Sequence, residues 1–457
     1  MLALLIAAVW LPTVTATAQL TPQALIGDSV EDVDDAKYSG VAAAIQDFRT
    51  GKVESARQAL QKVCNENKEL APADVLLTKM LLATGNRAAV SRALDQAILA
   101  NPADPEAYVM YGDLLFQQSQ FAPARLMFME ADKSHRAYKA NERRKVALAP
   151  RIAAGLAALA EAHQDWATAE VHLKTWQSLD PKNANASRRL AVVLYRSGQT
   201  DEALIEFGNL AKLDENAGSP SANLGLLYAR DGEHEQAKEM MEAALAKGTQ
   251  DLQTRLAVAR WAMDAGLLEM AKESAKAAVS LDADSLAAKL LVGLAARHEN
   301  DLTAAEKTFT AAHLAAPSNF AASNNLALVL AAQGDEQKRQ KALSLASVNA
   351  RAHSDTRTVF GREAAVTYGW ILYQQGKTQL AAQAIQNVPV PIPTKESAYY
   401  AAKIFGDAGR PDVVVRLLRP ILQDEKHFLH RSDAEELLKE ATQQILDAQS
   451  GIRVPPR

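Results

Sequence analysis

Residues 186–214 have the sequence ASRRLAVVLYRSGQTDEALIEFGNLAKLD, a pattern that predicts two helices joined by a short turn. In the first half, Leu190 and Leu194 are one helical turn apart and therefore share a face. Gly198 follows that helix and is suited to the left-handed conformation that often ends one. The second half places small and large apolar residues on one face of another helix: Ala203, Phe207 and Leu210.

The same pattern recurs every 34 residues between positions 150 and 317. Alanine occupies the equivalent position of five successive units, at Ala169, Ala203, Ala237, Ala271 and Ala305. A second small residue falls in the first helix of each unit, at Ala157, Ala191, Gly225, Ala259 or Gly293. Small residues allow two helix backbones to approach closely, and a single hairpin cannot bury its apolar face alone. The period therefore predicts stacked hairpins in a solenoid, not a compact enzyme core.

Two further stretches carry the pattern most fully. They are YVMYGDLL (108–115) with Ala124, Phe128 and Ala131, and SANLGLLYARDG (221–232) with Ala237, Met241 and Ala244. On these residues the chain resembles the tetratricopeptide repeat family. The resemblance extends over residues 37–425. That family has Leu-Gly or Leu-Ala and a Tyr-like residue in its first helix, and Ala, a Phe-like residue, Ala and Pro in its second.

The resemblance implies an all-α fold, a right-handed α-solenoid of about eleven helical hairpins with a C-terminal capping helix. A proline-rich connector at 388–396 cannot be helical at its prolines. The predicted segments are a signal peptide at 1–18, a flexible lead-in at 19–36, repeats 1–3 at 37–136, a basic insert at 137–149, repeats 4–8 at 150–317, repeats 9–11 at 318–425, and a capping helix with its tail at 426–457.

The N-terminal sequence, MLALLIAAVWLPTVTATAQ, predicts export from the cytoplasm. An apolar run at 2–11 precedes the small residues Ala16 and Ala18, a pattern typical of a secretory signal peptide cleaved after Ala18. The exported chain would then begin at Gln19 and be periplasmic or secreted. One feature departs from the usual pattern, since no Lys or Arg precedes the apolar run.

The basic insert interrupts the repeat phase. Between Ala124 and Ala169 the spacing is 45 residues, which is 11 more than one period. About three helical turns fit this surplus, so a helix extension would keep the faces in register. One interpretation is a solvated helix extension or linker, which charge patterning favours. The alternative is a basic site for an acidic partner or for membrane headgroups.

The sequence offers no pattern for catalysis, a cofactor or a metal. Gly376-Lys377-Thr378 resembles the end of a phosphate-binding loop, but Ile371 stands where that motif needs glycine. The nine histidines include no zinc-binding spacing with a third ligand, and the single Cys64 is expected to be a buried, inert thiol. A net charge of −4 gives no field that would attract nucleic acid. We therefore expect a chain that is not an enzyme.

The resemblance also implies an inner groove, formed by the first helix of each hairpin, that receives a protein or peptide partner. The residues expected to line it are Arg188, Tyr195, Arg260, Arg297, Asn324, Trp370 and Tyr373. The predicted function is a non-enzymatic interaction scaffold outside the cytoplasm, in envelope assembly, polymer export or secretion. The alternative is a periplasmic peptide-binding or chaperone-like receptor that uses the same groove.

Overall fold

The computed structural model describes residues 20–34, 36–246, 250–424 and 426–449. These ranges contain 24 α-helices and no strand. The predicted signal peptide at 1–18, its cleavage site and the last residues of the tail lie outside the described residues. The chain divides into two compact units, of which the first ends at Glu215 and the second begins at Asn216.

The first unit contains one short helix followed by five hairpins. The short helix is α1 (Pro22–Ile26). The hairpins are α2 (Ser39–Arg49) with α3 (Val53–Glu66), α4 (Ala73–Leu82) with α5 (Arg87–Ala100), α6 (Pro105–Gln117) with α7 (Phe121–Ala137), α8 (Glu142–Ala162) with α9 (Trp166–Leu179), and α10 (Ala184–Arg196) with α11 (Thr200–Leu213).

The second unit contains six hairpins and a final helix. The hairpins are α12 (Pro220–Asp231) with α13 (His234–Ala246), α14 (Leu252–Asp264) with α15 (Leu268–Leu281), α16 (Leu286–His298) with α17 (Leu302–Ala315), α18 (Phe320–Ala332) with α19 (Glu336–Ala352), α20 (Val359–Gln374) with α21 (Thr378–Ile385), and α22 (Lys395–Asp407) with α23 (Pro411–Leu422). The last helix, α24 (Arg431–Gln449), packs on α23. Together the two units confirm the predicted all-α array of eleven hairpins with a C-terminal capping helix.

Local sequence signals set the helix ends. The side chain of Asp104 accepts a hydrogen bond from the backbone N–H of Glu106 at 3.0 Å, and Pro105 occupies the first helical position of α6. Ser219 caps α12 in the same way. Between the helices of a hairpin the chain turns through left-handed backbone, as at Gly198, where φ is +78°. Glycine tolerates that conformation without a Cβ clash, so the turn after α10 stays short.

The small repeat residues lie where the two helices of a hairpin touch. Ala203 and its four equivalents in the 34-residue register are completely buried. At Gly293 a Cβ atom would lie 2.7 Å from the ring of Phe309, which is itself fully buried on α17. At Gly225 the nearest atoms are farther away, with the Cβ of Met240 and the Cε of Met241 at 3.2 Å. The two glycines therefore differ in how much room their partner helix leaves.

We expect Gly293→Ala to destabilise its hairpin by about 1–3 kcal/mol, because a packed aromatic ring must move to admit the methyl group. Gly225→Ala should cost less, since contacts of 3.2–3.3 Å require only a small shift of the partner helix and alanine favours the helix by about 1 kcal/mol over glycine. Urea unfolding of both variants, followed by circular dichroism, measures the difference. Equal losses at the two positions would contradict this account of the close helix contact.

The basic insert at 137–149 is only partly the solvated extension that the charge pattern favours. It is helical at both ends, because α7 continues to Ala137 and α8 begins at Glu142. Arg143 is exposed, but Arg144 is 2 % exposed. The interpretation as a solvated segment is therefore wrong for Arg144. The cause is tertiary, since carboxylates of an earlier hairpin surround its guanidinium.

The prediction of a flexible lead-in at 19–36 also differs from the structure. Residues 22–26 form α1, and Leu25 and Ile26 are 2 % and 0 % exposed. Both side chains join the apolar core of the first hairpins, and α1 packs against α2 and α4. The acidic composition of this stretch predicts mobility, but Leu25, Ile26 and Val30 anchor it in the apolar core.

Candidate functional site

The seven residues predicted to line a groove all lie on the first helices of their hairpins. Arg188 and Tyr195 are on α10 in the first unit. The other five are in the second unit: Arg260 on α14, Arg297 on α16, Asn324 on α18, and Trp370 and Tyr373 on α20. Each unit therefore presents its own set of first-helix residues.

In the first unit, Arg188 is accessible but already paired. Its Nη2 lies 2.8 Å from the Oδ2 of Asp214, and its Nη1 donates to the Oδ1 of Asn185 at 3.1 Å. The side chain is 44 % exposed, so solvent weakens this ion pair. Tyr195 is half-buried, and the guanidinium of Arg196 lies 5.5 Å from the centre of its ring. A carboxylate from a partner could compete for Arg188 at little cost.

In the second unit, Arg297 is buried instead of open to a partner. Its side chain is 6 % exposed, and its Nη2 donates to the Oε2 of Glu396 at 2.8 Å and to the hydroxyl of Tyr400 at 2.7 Å. Burial alone would raise the pKa of Glu396, but the charge of Arg297 keeps that pKa below its usual value. Arg297 thus joins α16 to α22 within the chain.

An aromatic stack continues from this ion pair. The ring of Trp370 lies 4.3 Å from that of Tyr400 and 5.2 Å from that of Tyr373, and both pairs are nearly parallel. The hydroxyl of Tyr373 donates to Asp407. The structure therefore brings Arg297, Trp370 and Tyr373 together through Tyr400, a residue that sequence reasoning missed.

The remaining two predicted residues stand apart from this stack. Asn324 is 4 % exposed, and its Oδ1 has no hydrogen-bond partner within the part of the chain that the structure describes. Arg260 is exposed and has no hydrogen-bond or ion-pair partner among the described residues. Arg260 is therefore the predicted cation of this unit that remains open to an external carboxylate.

A non-helical segment just before α24, residues 426–430, also contacts the first helices of the second unit. The backbone N–H of His427 donates to the carbonyl of Asp264 at 2.7 Å, and its ring lies 5.4 Å from that of His298. The ring of His430 stacks on Tyr399 at 4.8 Å. Burial lowers the pKa of His298 to about 4. His427 and His430 share the right spacing for a helix face, but the structure places both before α24.

The first unit contains a buried charge cluster around Arg144. Its guanidinium donates to Asp104 at 2.8 and 3.0 Å, to Glu106 at 2.8 Å and to the hydroxyl of Tyr138. Glu106 also lies 2.5 Å from the Nζ of Lys79. Burial alone would raise the pKa of Glu106, but Lys79 and Arg144 lower it to about 2. This cluster connects α4, α6 and α8.

The N-terminal segment, residues 20–30, lies beside this cluster. Its backbone carbonyls accept hydrogen bonds from four side chains of the first unit. These bonds are Arg49 to Leu20 at 2.8 Å, Lys79 to Leu25 at 3.4 Å, Arg143 to Gly27 at 3.1 Å and Asn141 to Ser29 at 2.8 Å. The sequence signal for this placement is the apolar pair Leu25-Ile26 inside an otherwise polar stretch.

Other candidate chemistry has a structural explanation. Gly376-Lys377-Thr378 joins α20 to α21, and Gly376 has a φ of +75°, as a tight turn requires. Cys64 is half-buried, and burial raises the pKa of its thiol to about 12. In the described ranges no three His, Cys, Asp or Glu side chains are grouped to hold a metal ion. Among the helices of those ranges, none has the length and apolar character needed to span a bilayer.

Comparison with known proteins identifies the repeat. Tetratricopeptide-repeat family models match residues 81–135, 156–220 and 221–246. No curated protein matches the chain in sequence. Among solved structures, yeast Tom70 is 13% identical and covers 92% of this chain and 99% of its own, with a TM-score of 0.40. Pseudomonas aeruginosa pilF is 15% identical and covers 56% of this chain and 96% of its own, with a TM-score of 0.34. Likenesses this weak do not assign a partner.

Proposed function

Because this chain is a tetratricopeptide-repeat protein, we propose that it is a non-enzymatic scaffold that binds a protein or peptide partner outside the cytoplasm. Envelope assembly, polymer export and secretion are the processes that fit an exported scaffold. The repeats themselves support protein–protein interaction as the general role. The export, the absence of catalysis and the process are our proposals.

One observation carries the proposal. In each unit the first helices hold a segment from outside the hairpins through polar contacts to its backbone. In the second unit the carbonyl of Asp264 receives the N–H of His427, and in the first unit four side chains bind carbonyls of residues 20–30. Backbone contacts of this kind are those by which an extended surface binds a peptide. These contacts support a peptide-binding role for the first-helix faces.

Among the residues predicted to line the groove, the accessible cations are Arg188 in the first unit and Arg260 in the second. Arginine binds carboxylates with planar, often bidentate geometry, and its stem also covers apolar surface. We therefore propose that the partner presents Asp, Glu or a free C-terminus to these residues. Arg297 does not belong to this set, because Glu396 already occupies its guanidinium.

Arg260→Ala is expected to reduce capture of the partner from the cell envelope while leaving the melting temperature nearly unchanged. The side chain is exposed and unpaired within the described chain, so its loss should shift stability by no more than about 0.5 kcal/mol. Affinity capture followed by mass spectrometry measures the partner, and circular dichroism measures the fold. Any residual binding should depend less on salt, because a charged contact is lost.

Lys276→Ala is the matched control for this experiment. Lys276 is an exposed cation of the same hairpin, but it lies on the second helix, α15. Its loss should leave capture intact. If Arg260→Ala captures the same partner as well as the wild type does, the face of α14 is not the binding site.

The proposed location has its own test. Intact mass of the protein from the envelope fraction is expected to show a chain that begins at Gln19, because a signal peptide would be removed after Ala18. Full-length protein found only in the cytosol would overturn the export proposal. It would leave the interaction role standing, since that role depends on the repeats alone.

The second candidate function is a periplasmic peptide-binding or chaperone-like receptor. It is favoured by the four contacts to carbonyls of residues 20–30, since every peptide offers carbonyls whatever its sequence. A receptor of this kind would bind many unrelated peptides with similar affinity. A scaffold would retain one folded partner, so a peptide array probed with the purified chain distinguishes the two.

A further inference from the structure

We propose that residues 20–30 are an intramolecular ligand of the first unit, and that the face they cover is the docking site of a partner segment with the same chemistry. That chemistry is an apolar pair in one helical turn, followed by an acidic residue. The inference rests on the proposed scaffold function and names the kind of segment that the first unit would receive. In this arrangement the N-terminal segment inhibits binding until a partner displaces it.

The contacts of residues 20–30 are of two kinds. Hydrogen bonds to the backbone can form with any peptide, whereas side-chain contacts favour particular sequences. Four donors from three parts of the unit bind backbone carbonyls, namely Arg49 at the end of α2, Lys79 on α4, and Asn141 and Arg143 at the start of α8. These hydrogen bonds fix the path of the bound backbone, but they do not distinguish one side chain from another.

Selection comes from two features of the segment. Leu25 and Ile26 are buried in the apolar cluster of the first hairpins, so a partner must supply a similar pair. The carboxylate of Asp28 lies 3.7 Å from the Nζ of Lys79, and this places an acid two residues after the pair. The face therefore fits a segment that is apolar and then acidic.

Ser29 and Val30 are also buried, but other side chains of the segment are exposed. Gln23 and Ala24 are exposed on the outer side of α1, and Glu31 and Asp32 are exposed beyond it. A helix as short as α1 is not stable alone, so the segment folds only where it is docked. A tether gives it a high effective concentration, and a free competitor therefore binds the closed protein more weakly than the open one.

The test uses the full chain and a fluorescent peptide with the sequence of residues 20–34, LTPQALIGDSVEDVD. Leu25→Ser with Ile26→Ser should release the segment, and the peptide should then bind at least about tenfold more tightly than it binds the wild type. Gln23→Ser with Ala24→Ser is the matched control, because both side chains are exposed, and it should bind like the wild type. The same peptide with serine at both apolar positions should not bind.

The donors are tested in the released background. Arg49→Ala with Arg143→Ala removes two side chains whose hydrogen bonds to other residues of the described chain go to Leu20 and Gly27. Peptide affinity should fall about tenfold, as expected for two lost hydrogen bonds. Lys62→Ala with Lys139→Ala removes the same charge from exposed positions and should leave affinity unchanged.

If the released variant loses helicity, a cut chain replaces it. A protease site inserted between the exposed residues Glu31 and Asp32 keeps every contact and makes the segment non-covalent after cleavage. The labelled peptide should then exchange for the cut segment while the hairpins stay helical. The proposal would be overturned if the segment never exchanges, or if its departure unfolds the hairpins. Residues 20–30 would then be a structural part of the first unit and not a displaceable ligand.

Two further results would also overturn it. The first is equal, weak peptide binding by the wild type and by a folded released variant. The second is a concentration-dependent wild-type dimer that the peptide dissociates, which would assign the face to a second copy of this chain. Failure of the peptide experiments together with intact, Arg260-dependent partner capture would remove this inference and leave the scaffold function in place.

Discussion

Arg144→Ala is expected to lower the free energy of unfolding of the first unit by about 3–5 kcal/mol. The guanidinium is 2 % exposed and satisfies two carboxylates that are themselves 6 % and 1 % exposed, those of Asp104 and Glu106. Removing it leaves both carboxylates buried, with Lys79 at 2.5 Å and Arg151 at 3.9 Å from Glu106 as the remaining cations. An uncompensated buried charge costs more than a lost surface pair, so the effect should far exceed that of an exposed arginine.

Urea unfolding measures this loss, and hydrogen exchange read hairpin by hairpin locates it. Stacked repeats do not always unfold in one step, so the local measurement is needed. Protection should fall in α4, α6 and α8, which the cluster connects. Lys139→Ala, at an exposed position of the same insert, is the control and should change stability by no more than about 0.5 kcal/mol. If both variants unfold alike, the cluster does not stabilise the unit.

Arg297→Ala should have a similar effect on the second unit, a loss of about 3–5 kcal/mol. The substitution leaves Glu396, whose side chain is 20 % exposed, without its ion-pair partner, and it leaves the hydroxyl of Tyr400 with a single long contact to the Nε2 of His430 at 3.4 Å. An arginine that lines an open groove, as the sequence predicts for Arg297, could be replaced with little loss of melting temperature. A surface arginine would have that property, but a buried and paired one does not.

A double variant separates the charge from the packing. Arg297→Met with Glu396→Leu removes both charges and keeps apolar volume, so it should recover most of the stability that Arg297→Ala loses. Thermal unfolding of the single and double variants supplies the comparison, with Arg260→Ala as the exposed control. A double variant as unstable as Arg297→Ala would mean that the packing of the arginine stem, not the unpaired carboxylate, causes the loss.

The fold could be predicted from sequence because each hairpin is formed by residues that are close together in the chain. The spacing of Leu190, Leu194 and Ala203 predicts two helices and the face on which they meet, and Gly198 predicts the turn between them. A repeat contacts mainly its neighbours, so the structure inferred for one hairpin applies to each of the eleven. The resemblance to tetratricopeptide repeats then supplied the way the hairpins stack.

The site could be predicted only in part. Sequence register placed all seven proposed residues on first helices, where the structure also has them. It could not show whether each side chain is exposed to a partner or already paired within the chain. Arg260 and Arg297 both lie on the first helices of successive hairpins, yet the first is exposed and the second pairs with a residue 99 positions later.

The sequence by itself therefore determined the repeating unit, the number of hairpins and the face on which small residues meet large ones. Only the tertiary structure decided where the non-repeating segments lie. Arg144 meets carboxylates about forty positions earlier, and Asn141 binds the carbonyl of Ser29, 112 positions away. Such contacts depend on how several hairpins stack, and no local spacing encodes a distance between residues that are far apart in the chain. Considered alone, the acidic lead-in and the basic insert are each predicted to be exposed to solvent. The folded chain instead brings them together on the first unit.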